Sequence, residues 1–380
     1  YEEEAYYPEE EGLEEFVGEC IEALGTCLAD ERADRVAREK IIEVLFDIYE
    51  HDLRAYDSLG FTASASDQLV RYTTPLERNT IAERLRKRLE GAVSFQRGAY
   101  SKFLLDLQKD TLDDEAYLQI CRKGGLISDL IDRLLTLGRI DEAERETQTI
   151  EDNKLLGLAD LFVYRQQDAV AERLVRGRIK EKTDWRILEW LQKYYHARDN
   201  HAAELEVTET LFRTQRFLNH YQKLREIARQ MGRWETLRPE LLAFLEQSQD
   251  TTLLIEIALD EGDIDKALKL LEGILTKDHD GYTYTSRKIH YNLGIDLDVA
   301  RAAEETRPRE AIQIYQRRAE RFIAMRDRKH YQEACPFLAK IRALYQKLGE
   351  PEAWTSYITT LCEQNRNLRA LKDELAKAGL

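Results

Sequence analysis

Hydrophobic residues recur along most of the chain at the spacing of an amphipathic helix. Two segments illustrate the pattern: Ile187, Leu188, Leu191 and Tyr194 in one, and Phe217, Tyr221, Leu224 and Ile227 in the other. Residues three and four apart share one face of a helix, whereas the two-residue alternation of a strand is almost absent here. The pattern predicts an all-α protein.

A turn motif recurs within this helical pattern. The sequence Leu-x-x-Gly-x-Ile-Asp-x-Ala occurs at residues 135–143 and again at 259–267. We predict that Gly138 and Gly262 each end a helix in the left-handed conformation. Ala143 and Ala267 are small enough to let the next helix pack closely against the first.

Weaker copies of the turn lie near residues 167–168 and 199–200, at Gly232 and at Gly349. From 138 to 262 the copies are about 30 residues apart, which is near the period of TPR hairpins. One helix pair cannot bury such apolar stripes alone, but stacked pairs can. We therefore predict TPR-like antiparallel helix-hairpin repeats stacked into a right-handed solenoid.

The sequence suggests five segments. They are an acidic, mobile tail (1–12), an N-terminal helical region with a loop at 58–74 (13–111), TPR-like repeats (112–276), a polar insertion (277–288), and C-terminal helical repeats with a capping helix (289–380). The loop is predicted from Gly60 and its serine and threonine neighbours. Pro75 then suits a helix start. The last helix is expected from about residue 353, with a polar end over 365–377.

Composition narrows the class of protein. The chain is 43% hydrophobic and 34% charged, and no apolar run approaches the ~18 residues that span a bilayer, so no membrane partner is expected. It begins at Tyr1 without a basic-then-apolar leader, and we expect a piece of a longer protein. Five scattered cysteines, including Cys20 and Cys27 on one helix, are interpreted as buried free thiols of a cytoplasmic protein.

The net charge of −15 should repel nucleic acid from most of the surface. Residues 308–347 are the exception, with ten basic and four acidic side chains. The candidate contact face there comprises Arg317, Arg318, Arg321, Arg328 and Lys329. It is interpreted first as a solvated face that balances acidic neighbours; phosphate contact and docking of an acidic partner stay open. A second basic cluster comprises Arg84, Arg86, Lys87 and Arg88.

Motifs for catalysis or cofactors are missing from the sequence. Neither a phosphate-binding loop nor a dinucleotide motif occurs, and no cysteine–histidine set has zinc spacing. Residues 278–281 hint at a calcium loop, but Arg287 stands where a bidentate glutamate is required. The sequence thus predicts no cofactor, no metal and no enzyme.

Five sequence blocks carry a resemblance to a known family. They lie at residues 133–143, 255–263, 315–320, 328–335 and 344–349, and the Arg-Lys-His-Tyr run from Arg328 is the most specific. From about residue 31 onward the sequence resembles the helical region C-terminal to the SWIM domain of bacterial SWIM zinc-finger proteins. That family's Cys-x-Cys and Cys-x-His motif is absent here, so no zinc ligand carries over.

The resemblance implies a partner-binding or scaffolding region next to a zinc-binding SWIM domain, in proteins that resemble accessory factors of Swi/Snf-type helicases. Two functions follow as expectations. One is a scaffold that binds a protein or peptide partner on a preorganised surface; the other is a nucleic-acid accessory module that uses residues 308–347. The oligomeric state stays open.

Overall fold

The computed structural model describes residues 8–30, 32–55, 59–180, 183–277 and 294–380. Within these ranges the protein is all helical, as predicted, and contains no strand. The helices divide into two compact units, 1–183 and 184–380, which we call the N-terminal and C-terminal units. None of the described helices is long and apolar enough to cross a membrane.

The described part of the N-terminal unit contains ten helices. They are α1 (Pro8–Ala29), α2 (Arg35–Arg54), α3 (Phe61–Tyr72), α4 (Pro75–Leu89), α5 (Ser94–Leu107), α6 (Asp114–Gly124), α7 (Ile127–Thr136), α8 (Ile140–Thr147), α9 (Asp152–Tyr164) and α10 (Asp168–Arg176). Helices α1 to α5 enclose one core, in which Phe46, Tyr49, Leu69 and Phe103 are buried. The predicted helix start at Pro75 is confirmed.

The described part of the C-terminal unit contains another eleven. They are α11 (Trp185–His196), α12 (His201–Thr214), α13 (Leu218–Gln230), α14 (Trp234–Gln247), α15 (Thr251–Asp260), α16 (Ile264–Lys277), α17 (Ile295–Ala303), α18 (Pro308–Ala324), α19 (Arg328–Lys347), α20 (Pro351–Gln364) and α21 (Arg369–Lys377). One core lies among α12 to α15, where the Tyr221 and Trp234 rings meet edge to face. A second lies among α15 to α21 around Tyr315 and Leu338.

The loop predicted at 58–74 is wrong, because helix α3 occupies most of it. The buried carboxylate of Asp52 accepts hydrogen bonds from the backbone N–H of Leu59 (2.8 Å) and of Thr62 (2.7 Å). These bonds satisfy donors that a helix start leaves without partners. Ala65 and Leu69 then bury one face of the helix. The serines and threonines suggested a loop, but the apolar spacing prevails.

Two other predicted boundaries also change. Helix α1 begins at Pro8, so the predicted tail does not extend to residue 12; proline suits the first turn of a helix. Residues 1–7, and the predicted insertion from 278 onward, lie outside the described residues. The predicted last helix is two helices, α20 and α21, because Leu371 and Leu375 on the polar end are buried.

A single backbone arrangement turns the polypeptide between paired helices. At the end of α7, Gly138 has a φ of 72°. Its N–H donates to the carbonyl of Leu135 (3.1 Å), and the next N–H, from Arg139, donates to Leu134 (2.9 Å). This is the Schellman motif, which satisfies the last carbonyls of a helix. Helix α8 then begins at once, with Ala143 fully buried.

The same turn recurs in hairpin after hairpin. Left-handed residues that form this turn lie between α7 and α8 (Gly138), α9 and α10 (Gln166), α11 and α12 (Asp199), α13 and α14 (Gly232), α15 and α16 (Gly262), and α19 and α20 (Gly349), and also between α6 and α7 (Gly125) and α14 and α15 (Gln249). Each is followed by the same pair of backbone hydrogen bonds. The two helices of every hairpin pack against each other, and Ala267 on α16 is fully buried like Ala143.

The left-handed conformation of Gly138 predicts that a substitution at this position lowers the stability of the protein. A Cβ there would meet no atom within 4 Å, so Gly138→Ala loses stability through backbone strain alone. We expect the free energy of unfolding to fall by about 1–2 kcal/mol, measured by urea denaturation followed by circular dichroism. Gly157→Ala is the matched control: it also meets no atom, but it lies within α9 and should gain ~0.5–1 kcal/mol. Equal effects of the two changes would contradict this account.

Candidate functional site

The predicted basic face lies on the α18–α19 hairpin of the C-terminal unit. Arg317 and Arg321 are one helical turn apart on α18 and are both exposed. Lys329, in the first turn of α19, is exposed as well. Among the described residues, no carboxylate oxygen lies within 4 Å of these three cations. They form the part of the predicted face that is available to a partner.

Arg318 points into the protein instead. Only 10% of its side chain is exposed, and its guanidinium lies 3.5 Å from Asp296 and over the ring of Phe322. Burial raises the pKa of Asp296, while the charge of Arg318 opposes this shift. Arg318 therefore neutralises a half-buried carboxyl group and joins α18 to α17. The prediction of a contact role for it is wrong, because its neighbours surround it.

Arg328, another residue of the predicted face, forms ion pairs within the protein. Its guanidinium lies 3.2 Å from Asp373 and 3.6 Å from Glu374, both on α21. Gln332 also donates to Glu374, at 3.1 Å. Arg328 thus fastens the final helix to α19. It remains half exposed, but its charge is already balanced.

Much of the positive charge of residues 308–347 is balanced by acids outside that segment. Arg309 pairs with Glu350, Lys340 with Glu304 and Lys347 with Glu305. Together with Asp296, Asp373 and Glu374, these partners were not counted in the segment. The excess of cations in the sequence is therefore larger than the excess on the folded surface, which supports the interpretation of a balancing face.

A charged cluster that the sequence did not reveal lies at the α11–α12 turn. Glu204 is fully buried, and its carboxylate lies 3.0 Å from Nδ1 of His196 and 3.4 Å from Nδ1 of His201. Lys223 of α13 approaches to 3.8 Å. Glu204 resembles any surface glutamate in the sequence. Two imidazole nitrogens and one ammonium group therefore surround a carboxylate that the protein holds away from water.

The described residues contain no group of three or more His, Cys, Asp or Glu side chains arranged to hold a metal ion. All five cysteines are free, but only Cys121 and Cys335 are buried; Cys20 and Cys362 are half-buried and Cys27 is exposed, so the prediction of buried thiols is wrong for these three. Cys121 is buried, and desolvation raises the pKa of its thiol to about 12. A thiol with so high a pKa is a poor nucleophile at neutral pH.

The fold of the described residues defines an all-α protein. No family model matches it. It is similar to "Uncharacterized protein YwqB" of Bacillus subtilis, with 38% identity over 73 residues. That segment is 19% of this chain and spans 14% of the length of YwqB.

Proposed function

We propose that this protein is a non-catalytic helical-repeat scaffold that binds a protein or peptide partner. The observation that carries the proposal is the recurrent left-handed turn, which has the same two hydrogen bonds in six helix hairpins between α7 and α20. Repeats of this kind present a surface whose shape is set before the partner arrives, which lowers the entropic cost of binding. We propose TPR-like hairpins in a right-handed solenoid.

Packing between neighbouring hairpins supports a stacked arrangement within each unit. In the N-terminal unit α7 packs on α9 and α8 on α10; in the C-terminal unit α12 packs on α13 and α13 on α15. Each hairpin thereby covers the apolar stripe of the next. Five free cysteines are consistent with a reducing compartment and support a cytoplasmic location.

The resemblance to SWIM zinc-finger proteins adds a family to the proposal. We place these residues after a SWIM domain in the order of the sequence, on the strength of the Arg-Lys-His-Tyr block and the repeated turns. The check is the gene sequence that encodes residues ahead of Tyr1. A Cys-x-Cys followed by a Cys-x-His is expected there, and an upstream region without this motif would remove the family assignment.

A peptide-binding scaffold should select peptides from an unbiased display library. We expect the protein of residues 1–380 to enrich related sequences, with dissociation constants in the micromolar range when the selected peptides are labelled and titrated by fluorescence anisotropy. Urea-unfolded protein is the control, since a preorganised surface requires the fold. A library that yields no sequence family after repeated rounds would argue against the scaffold.

The exposed cations Arg317, Arg321 and Lys329 favour a second function, a nucleic-acid accessory module. In that case the protein should shift single- or double-stranded DNA at low salt, and the affinity should fall steeply as salt rises. Arg317→Ala combined with Arg321→Ala should abolish the shift. The control is Arg229→Ala combined with Arg366→Ala, which removes two exposed cations elsewhere in the C-terminal unit. No shift at low salt rules this function out.

A further inference from the structure

A cavity of about 730 Å³ lies between α4, α5 and α6 in the N-terminal unit. Pockets that hold ligands in proteins are roughly 300–1,000 Å³ in volume. Four lining residues are basic and one is acidic: Arg86, Arg97, Arg122 and Lys123, and Glu90. The protein as a whole has a net charge of −15, so the charge around this cavity is opposite in sign to that of the whole protein.

Three of these cations are not neutralised by a neighbour. Among the described residues no carboxylate lies within 4 Å of Arg86, Arg97 or Lys123. The guanidinium of Arg86 donates instead to the amide oxygen of Gln108 at 2.7 Å, which orients it and leaves its charge intact. All three side chains are exposed at the cavity rim.

The fourth cation has a different role. Arg122 lies 2.5 Å from Glu142 and 2.9 Å from Glu146, both on α8. Its charge is therefore balanced, and it holds the end of α6 against α8. Lys123 follows it directly in the sequence, so this tether also fixes the position of Lys123 at the rim.

Half-buried Leu89, Leu112 and Ile120 form the apolar floor of the cavity, whereas Leu104 and Ser101 at the same cavity are fully buried. A Cβ on residue 124 would come within 2.4 Å of Ser101 Oγ, so α5 and α6 approach closely at this point. Ser101 Oγ has no hydrogen-bond partner among the described residues.

We infer that this cleft, which we call the basic cleft, binds an acidic peptide segment of a protein partner. The inference rests on the proposed scaffold function and names the chemistry of its partner. Apolar side chains of the peptide would cover Leu89 and Ile120, and its carboxylates would meet Arg86, Arg97 and Lys123. Charge complementarity of this kind speeds association and excludes partners of the wrong sign.

The lining argues against nucleic acid as the occupant. Proteins that bind single strands place aromatic side chains under the bases. None of the residues that line the basic cleft is aromatic. A peptide with leucine-like side chains and carboxylates satisfies both the apolar floor and the cationic rim.

The test compares two pairs of charge reversals in the full protein. Arg97→Glu with Lys123→Glu removes two rim cations, and Arg97→Gln with Lys123→Gln is the milder second variant. The matched control is Lys40→Glu with Lys154→Glu, two exposed lysines on α2 and α9 that do not line the cleft. Circular dichroism and thermal unfolding verify that each variant is folded.

Peptides enriched from the unbiased library supply the probe, titrated by fluorescence anisotropy. We expect enriched sequences rich in Asp, Glu and large apolar residues. Their affinity should fall at least about tenfold in the cleft variants, and in the control pair by much less. Higher salt should weaken binding to the unmodified protein.

Other outcomes overturn the inference in distinguishable ways. Enriched peptides that lack acidic residues, or that bind the cleft variants as well as the unmodified protein, overturn the basic cleft and leave the scaffold standing. A library with no enrichment overturns both proposals. An oligonucleotide whose binding is lost in the cleft variants replaces the peptide with a nucleic acid.

Discussion

The reversal of the backbone between paired helices is the constraint on which the remaining structure depends. A helix stops only where its final carbonyls find other donors, and the left-handed residue supplies them with two N–H groups. Glycine fills this position at 138, 232, 262 and 349, whereas Gln166 and Asp199 fill it elsewhere. A residue with a Cβ is strained there by about 1–2 kcal/mol. The buried stripes of the two helices outweigh that strain.

Arginine–carboxylate contacts between neighbouring helices form a second layer of organisation. Arg38, with 12% of its side chain exposed, donates to Glu77 at 2.9 Å and to the carbonyls of Leu28 and Tyr72. The Arg38 guanidinium lowers the pKa of Glu77 to about 2. Because this carboxylate is part of the cap of α4, one arginine joins the ends of α1 and α3 to the start of α4. Such multivalent contacts are worth more than isolated surface pairs.

The sequence was informative where local chemistry decides the structure, and less so where distant residues do. Glycine spacing and apolar periodicity are local signals, so the helical class and the turns at Gly138 and Gly262 could be predicted. Helix α3 was missed because its cap, Asp52, lies on α2, although Phe61, Ala65 and Leu69 already carried the helical spacing. Local composition cannot show a cap supplied from another helix.

Charge counting failed for the same reason, and the two basic surfaces show how. On α18 and α19 the acids that balance Arg318 and Arg328 come from α17 and α21, so a count over 308–347 overstates the charge that a partner meets. In the basic cleft the situation is reversed. Arg86 belongs to a cluster visible in the sequence, but only folding brings it together with Arg97 and Lys123.

The residue that binds Arg86 explains how the basic cleft differs from the face on α18 and α19. A carboxylate beside Arg86 would orient the guanidinium but would also neutralise its charge, as Asp296 does for Arg318. The amide of Gln108, itself buried at the end of α5, orients the guanidinium while leaving the full positive charge directed at the cavity. An anion that enters then finds a donor already in place, with no carboxylate of the described residues within 4 Å of Arg86. What distinguishes Arg86 is that a buried amide orients its guanidinium without cancelling its charge.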